Sequence, residues 1–200
     1  MFRLAIPPDP SEQEPVSPNP LRNDPVTPDR VDSDLIRRCQ SVDLLTRRVA
    51  QRELYERYKR AMFSTAYRII NDYDHANDAL QDAFVDVFRN LNQFAFRSTL
   101  GSWIKTIVVR QAIRKQQLEG RFLTLDETIH DQPAPFRDTL TGAELDAVIR
   151  TLPDGARTIF LLAEVEGYAH KEIAGMLGIS EGTSKSQVSY AKKLLRQRLS

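Results

Sequence analysis

Residues 168–199, YAHKEIAGMLGISEGTSKSQVSYAKKLLRQRL, constrain the fold more than any other stretch of the chain. They pattern as a short amphipathic helix, a turn at Gly178 and a longer helix. Ile173, Ala174, Leu177 and Ile179 recur at helical spacing and can bury together, and Gly178 accepts the backbone that a tight turn demands. Small Ala174 lets two helices cross closely. From Ser184 to Arg198 the second helix carries Lys185, Lys192, Lys193, Arg196 and Arg198 and no acid. This is the outline of a helix-turn-helix, whose second helix enters a DNA major groove.

The rest of the chain must say what such a unit serves. Two hundred residues with 41% hydrophobic content suit one or two small domains with real cores. Cys39 is the single cysteine, which rules out an intrachain disulfide and fits a reducing cytoplasm. No apolar run approaches the roughly 20 residues of a membrane span, so no membrane insertion is expected. The opening MFRLAIPPDP lacks a signal-peptide core. A cytoplasmic location is the expectation. Residues 1–32 hold eight of the eleven prolines among Asp, Glu, Ser and Asn. Such a segment buries too little apolar surface to offset its ordering entropy, and it reads as a disordered tail.

Periodic helical pattern begins at Ser33. Leu35, Ile36, Cys39 and Val42 suit a short helix capped by Ser33 or Asp34. Residues 44–72 give a long helix with Leu54, Tyr58, Ala61, Met62, Thr65, Ile69 and Ile70 on its apolar face. The stretch NDYD ends it near Asn71 and Asp72 and can cap the next helix. In that helix, 74–92, Leu80, Phe84, Phe88 and Leu91 form a buried stripe. Nearly opposite, Asp74, Asp78, Asp82 and Asp86 recur every fourth residue. Like charges so spaced cost about 0.2–0.5 kcal/mol per pair. Asp82 and Asp86 lie beyond the helix N-terminus that would favour them. The stripe reads either as a solvated face or as a contact surface for a basic partner.

After the loop QFAFRSTLGS, residues 103–117 form a helix. Trp103, Ile104, Ile107, Val108 and Ala112 face inward, and Lys105, Arg110, Arg114 and Lys115 face outward. Between Arg97 and Arg121 only Glu119 is acidic. A loop with aromatics leading into a basic helix suits nucleic acid. Phe94 and Trp103 read as core, leaving Phe96, Arg97 and Ser98 as the loop's contact positions. Residues 118–141 read as a flexible linker, with a brief apolar segment at 122–125 that could dock on a domain. Leu145, Val148, Ile149 and Leu152 mark a further helix. Pro153 opens another, which runs through Ile159, Phe160, Leu162 and Ala163 to a stop at Gly167. No stretch alternates as a strand does. The fold class is therefore all-α, with two small helical domains (33–117 and 142–200) behind a tail at 1–32.

No catalytic constellation stands out. His75, His130 and His170 are isolated along the chain, one cysteine cannot build a thiolate zinc site, and no phosphate-binding glycine loop is present. Asp78, Asp82 and Asp86 step along one helix at about 6 Å and converge poorly on an ion. Neither a metal nor another cofactor is expected, and the chain does not read as an enzyme.

Three blocks occur in one order: ANDALQDAFVDVFRNL at 76–91, GSWIKTIVV at 101–109, and LPDGARTIFLLAEVEGYAHKEIAGMLGISEGTSKSQ at 152–187. Together they resemble the extracytoplasmic-function (ECF) group of the sigma-70 family of RNA polymerase sigma factors, over residues 35–199. The resemblance implies a transcription initiation factor built from sigma domains 2 and 4. It places Asp78, Gln81 and Asp82, with Val85 and Phe88 nearby, on the surface that docks on core RNA polymerase at the β′ coiled coil, the β subunit being a further contact. It implies that residues 95–102, with Phe96, Arg97 and Ser98, capture an extruded base of the −10 element. Lys105, Arg110 and Arg114 would face promoter DNA upstream of it. Thr183, Lys185, Ser186, Gln187 and Tyr190 would read the −35 element, and Lys192 and Arg196 would meet phosphates. An anti-sigma partner, often membrane-tethered, is typical of the group.

The chain also departs from the usual pattern. GTSKSQ followed by Tyr190-Ala191 replaces GTVKSR followed by Arg-Ala, so Ser184 stands for a branched apolar residue and Gln187 for arginine. Glutamine suits adenine where arginine suits guanine. Arg110 and Arg114 replace a frequent asparagine and aspartate, and SVDLLTRRVAQ replaces a shorter turn. A competing reading, a stand-alone helix-turn-helix regulator that binds duplex DNA as a dimer, leaves the acidic helix and the tryptophan block without a purpose. An enzyme acting on nucleic acid is the third reading, and it would need chemical turnover lost on Asp78→Ala or Asp82→Ala.

Overall fold

The computed structural model describes residues 30–120 and 142–199. The tail at 1–29 and most of the linker, including the apolar segment at 122–125, lie outside the described residues. Every element described is helical.

The first half is built from α1 (Arg30–Cys39), α2 (Leu44–Ile70), α3 (Tyr73–Asn90) and α4 (Leu100–Leu118). Asp43 caps α2 by accepting from the Thr46 and Leu45 amides, and Asp72 caps α3 by accepting from that of His75. Between them Asn71 ends α2 in the left-handed region at φ 57°, which asparagine tolerates better than most residues. So NDYD does close one helix and open the next. A single 3₁₀ turn, Leu91–Gln93, follows α3, and Thr99 caps α4. Helices α2, α3 and α4 pack on one another around Leu54, Ile69, Leu80, Phe84, Ile104 and Val108, each at most 3% exposed. A Cβ at Gly101 would stand 3.1 Å from the Tyr58 ring, so glycine here sets how closely α4 lies on α2.

Three expectations need correcting. Val42 lies beyond the end of α1 and is 97% exposed. Ala61 is exposed and Ala66 takes the buried position on α2. Helix α1 starts at Arg30 rather than after Ser33. Its first turn is held to α2 by Asp32, which pairs with Arg57 at 3.1 Å. Two residues on, Asp34 binds Arg37 and Arg38, and Arg38 reaches Glu53 on α2 at 2.9 Å.

These guanidiniums hold the Asp34 and Glu53 carboxyls below their ordinary values, Asp34 through Arg37 first and Glu53 through Arg38. A carboxylate with a depressed folded pKa stabilises fully above its unfolded value and loses that contribution as pH falls through the folded one. Urea unfolding from about pH 5 to about pH 3 should therefore show a larger drop in midpoint for the native chain than for Arg38→Met, with high salt narrowing the gap. Equal drops would show that the cluster is energetically silent.

The second half comprises α5 (Gly142–Arg150), α6 (Asp154–Phe160), α7 (His170–Leu177) and α8 (Glu181–Leu199). Pro153 precedes α6 as its cap residue, and α6 runs on into a wider π turn at Leu161–Val165. Gly167 and Gly178 both adopt positive φ, at 75° and 68°, where a side chain would be strained. They stop the π turn and α7 respectively. Ile159, Leu162, Ile173, Leu177, Val188 and Ala191 close the core.

Candidate functional site

Three surfaces carry the residues singled out from the sequence. The first is the outer face of α3. Its buried side is fixed by Ala76, Leu80, Ala83, Phe84 and Val87, so helical geometry throws Asp74, Asp78, Gln81 and Asp82 outward, and all four are exposed. Val85 stays 45% exposed beside them. Phe88 is half-buried, its ring 6.0 Å from Phe84. Helix α4 supplies counter-charge from one side. Lys115 meets Asp78 at 3.0 Å, and that carboxylate raises the lysine's pKa above the ordinary value. Gln111 donates to Asp86 at 2.5 Å. Asp82 forms no ion pair within 4.0 Å among the described residues. A groove of about 350 Å³ runs between Asp82, Val85 and Arg89 on one wall and Gln111, Lys115 and Leu118 on the other. It joins anionic, cationic and apolar surface.

The second surface is the loop before α4. Phe94 is 8% exposed and wedged between Phe96 (4.8 Å) and Trp103 (5.4 Å). Phe94 thus anchors the loop, as expected, while Trp103 is only half-buried. Phe96 sits at φ 54°, a left-handed conformation that costs a bulky residue of order 1–3 kcal/mol. The aromatic anchor holds that strain and turns Arg97 out to solvent, with Ser98 half-buried behind it. On α4, Arg110 and Arg114 are exposed, but Lys105 is engaged by Glu166 of the second half at 3.0 Å.

The third surface is α8. Ser180 caps it by accepting from the Thr183 amide at 2.9 Å. Lys185 projects with 60% of its side chain exposed, tethered by Glu181 at 2.6 Å, and the lysine depresses the Glu181 carboxyl. Thr183, Ser186 and Tyr190 are half-buried, as are Lys192, which pairs with Glu164 at 3.0 Å, and Arg196. Gln187 is not on this surface. It is 1% exposed and shares the inward face with Ser184, Val188, Ala191 and Leu195. His75 and His170 also have partners that their spacing hid. His170 Nδ1 lies 2.9 Å from the Ser184 hydroxyl, which explains how a buried serine is satisfied there, and His75 lies 3.0 Å from Glu119. No group of His, Cys, Asp or Glu among the described residues could hold a metal ion.

The family models decide between the readings. Residues 54–121 match sigma-70 region 2, and residues 142–195 match sigma-70 region 4, together more than half of the chain. The chain belongs to the sigma-70 family of RNA polymerase sigma factors. It is similar to the ECF RNA polymerase sigma factor SigE of Mycolicibacterium smegmatis, 26% identical over 156 residues that cover 74% of this chain and 60% of that protein. SigM of Mycobacterium tuberculosis is likewise 26% identical, covering 76% of this chain and 78% of its own. Among solved structures, the sigma factor RpoE in complex with the anti-sigma factor NepR from Bartonella quintana aligns at 22% identity and a TM-score of 0.48, over 73% of this chain and 94% of that one. Region 2 of this sigma factor thus takes in the acidic face and the aromatic loop, and region 4 the helix-turn-helix. No helix among the described residues is long and apolar enough to cross a membrane.

Proposed function

We propose that this sigma factor binds core RNA polymerase through α3 and directs it to promoters by reading two elements with its two halves. The observation that carries the proposal is the outer face of α3, where Asp78, Gln81, Asp82 and Val85 stay exposed. An aligned acidic stripe with an exposed valine is a costly surface for an isolated helix and a complementary one for a basic coiled coil. Arg97 and the strained Phe96 would receive an unstacked −10 base, and Arg110 and Arg114 would neutralise adjacent phosphates.

On α8 the reading of the −35 element falls to exposed Lys185 and to half-buried Thr183, Ser186 and Tyr190. Buried Gln187 would instead support the helix from within. An anti-sigma partner and a cytoplasmic location fit this role. Purified chain mixed with core polymerase should elute as a 1:1 complex in gel filtration. Failure to co-elute at micromolar concentration, or a palindromic footprint made by the chain alone, would overturn the assignment.

A further inference from the structure

The corner where α1 turns into α2 carries apolar surface that the core does not use. Val42 in the turn and Leu44, Leu45 and Val49 of α2 are each more than half exposed. Cations are set among them. Leu45 and Val49 stand one helical turn apart, as do Arg48 and Arg52, so two short rows lie side by side on the outer face of α2. Arg47 adjoins them, and Arg37 lies in the last turn of α1.

The carboxylates nearby leave these arginines unmatched. Asp34 is taken by Arg37 and Arg38, Glu53 by Arg38 and Arg57, and Glu56 by Lys59. Asp43 is engaged by the Leu45 and Thr46 amides at the start of α2. Arg47, Arg48 and Arg52 form no ion pair among the described residues. The first two also stand near the helix end whose dipole disfavours cations. Such a surface is unfavourable when bare, and it is complementary to a segment that brings apolar groups and acids together.

Residues 1–14, MFRLAIPPDPSEQE, have that composition. Phe2, Leu4 and Ile6 precede Asp9, Glu12 and Glu14, with Arg3 the one basic side chain. These apolar groups are too few to form a core, but enough to cover a patch. The point of attachment favours the same pairing. The chain enters α1 at Arg30, and the Asp32–Arg57 ion pair sets that entry beside the middle of α2. From Arg57 back to Arg47 is about 15 Å along the helix axis. Some 25 residues of chain span about 25–30 Å on average, so the patch lies within reach at an effective concentration of order 1 mM. Other occupants fit less well. The apolar groups here are aliphatic, where unpaired bases call for aromatic platforms. Glu56, one turn beyond Arg52 on the same face, would repel anionic lipid headgroups.

We propose that residues 1–14 dock on the α1–α2 corner of their own chain. Their acids meet Arg47, Arg48 and Arg52, and their apolar groups cover Val42, Leu44, Leu45 and Val49. The contact depends on neither the polymerase nor the promoter reading of the protein.

The test uses the full chain, isotope-labelled at its leucine and valine methyls, with a nitroxide thiosulfonate on Ser11→Cys. Cys39 is buried, and burial pushes its thiol up to about 11, so the label goes to position 11. The methyl resonances of Val42, Leu44, Leu45 and Val49 should broaden, while those of Val188 and Leu195 in the second half should not. Asp9→Lys/Glu12→Lys/Glu14→Lys should abolish the broadening, and so should Arg47→Glu/Arg48→Glu/Arg52→Glu. Combining the two sets should restore it, and high salt should weaken it. The first set changes no residue of the helices, so its effect cannot come from unfolding. Absence of selective broadening at the four side chains, or broadening that survives either reversal, would overturn the proposal. So would broadening of equal size between a nitroxide-bearing chain and a separate isotope-labelled one, which would make a second copy the occupant.

Discussion

Asp82→Lys is expected to weaken binding to core RNA polymerase by about thirtyfold or more, ~2 kcal/mol, the scale of replacing attraction by repulsion at one close charge pair of an interface. Asp82 is the informative position because α3 holds it exposed and no cation within 4.0 Å engages it among the described residues. Asp78 is less diagnostic, since Lys115 already meets it at 3.0 Å and its loss would also free that lysine. The substitution touches no buried atom, so the unfolding midpoint should stay nearly unchanged, as for most surface changes. Lys185→Ala, on the far half of the chain, should leave the core affinity as it is. Fluorescence titration of labelled chain with core polymerase measures both. An Asp82→Lys chain that folds and binds undiminished would remove α3 from the interface.

Phe84→Ala should cost the first half about 3–5 kcal/mol, the usual loss for truncating a buried phenylalanine. Phe84 is 3% exposed, with the Tyr55 ring edge-on at 4.8 Å and Phe88 at 6.0 Å. It belongs to the same helix as the acidic stripe and points the other way, so its loss tests whether α3 is held rigid from beneath. The single tryptophan, Trp103, lies in this half and reports on it directly. In urea the tryptophan transition should move to markedly lower denaturant with its slope unchanged. Val85→Ala, at an exposed site one residue away, should shift it little and should instead weaken polymerase binding. A small effect for Phe84→Ala would mean that the core can collapse around the cavity or that α3 packs differently.

Much of this arrangement is legible in the order of residues. The acidic stripe, the NDYD junction and the glycine at 178 each follow from local periodicity or from one residue's backbone preference, and they depend on nothing distant. What periodicity hides is polar burial. Gln116, Arg157, Ser184 and Gln187 look outward in a hydrophobicity pattern, yet each is at most 1% exposed. Gln116 and Arg157 both donate to the Ile69 carbonyl, 47 and 88 residues away, and only the assembled fold brings that carbonyl within reach. The Ser184 case is similar in kind, since His170 lies on the preceding helix. The site reading of Gln187 failed for this reason. Glutamine suits adenine by its chemistry, but only the fold shows that position 187 faces inward. The start of α1 escapes local pattern because Asp32 gains its partner, Arg57, only across the helix pair.

The central claim is that this chain gives core RNA polymerase a promoter preference. The most direct measurement is transcription by purified core polymerase on genomic DNA, with and without the chain, the 5′ ends of all transcripts being mapped. The account predicts a discrete set of new start sites that share two upstream sequence elements at fixed spacing, with Asp82→Lys abolishing the whole set. Start sites identical with and without the chain, or new ones lacking any common upstream element, would contradict it.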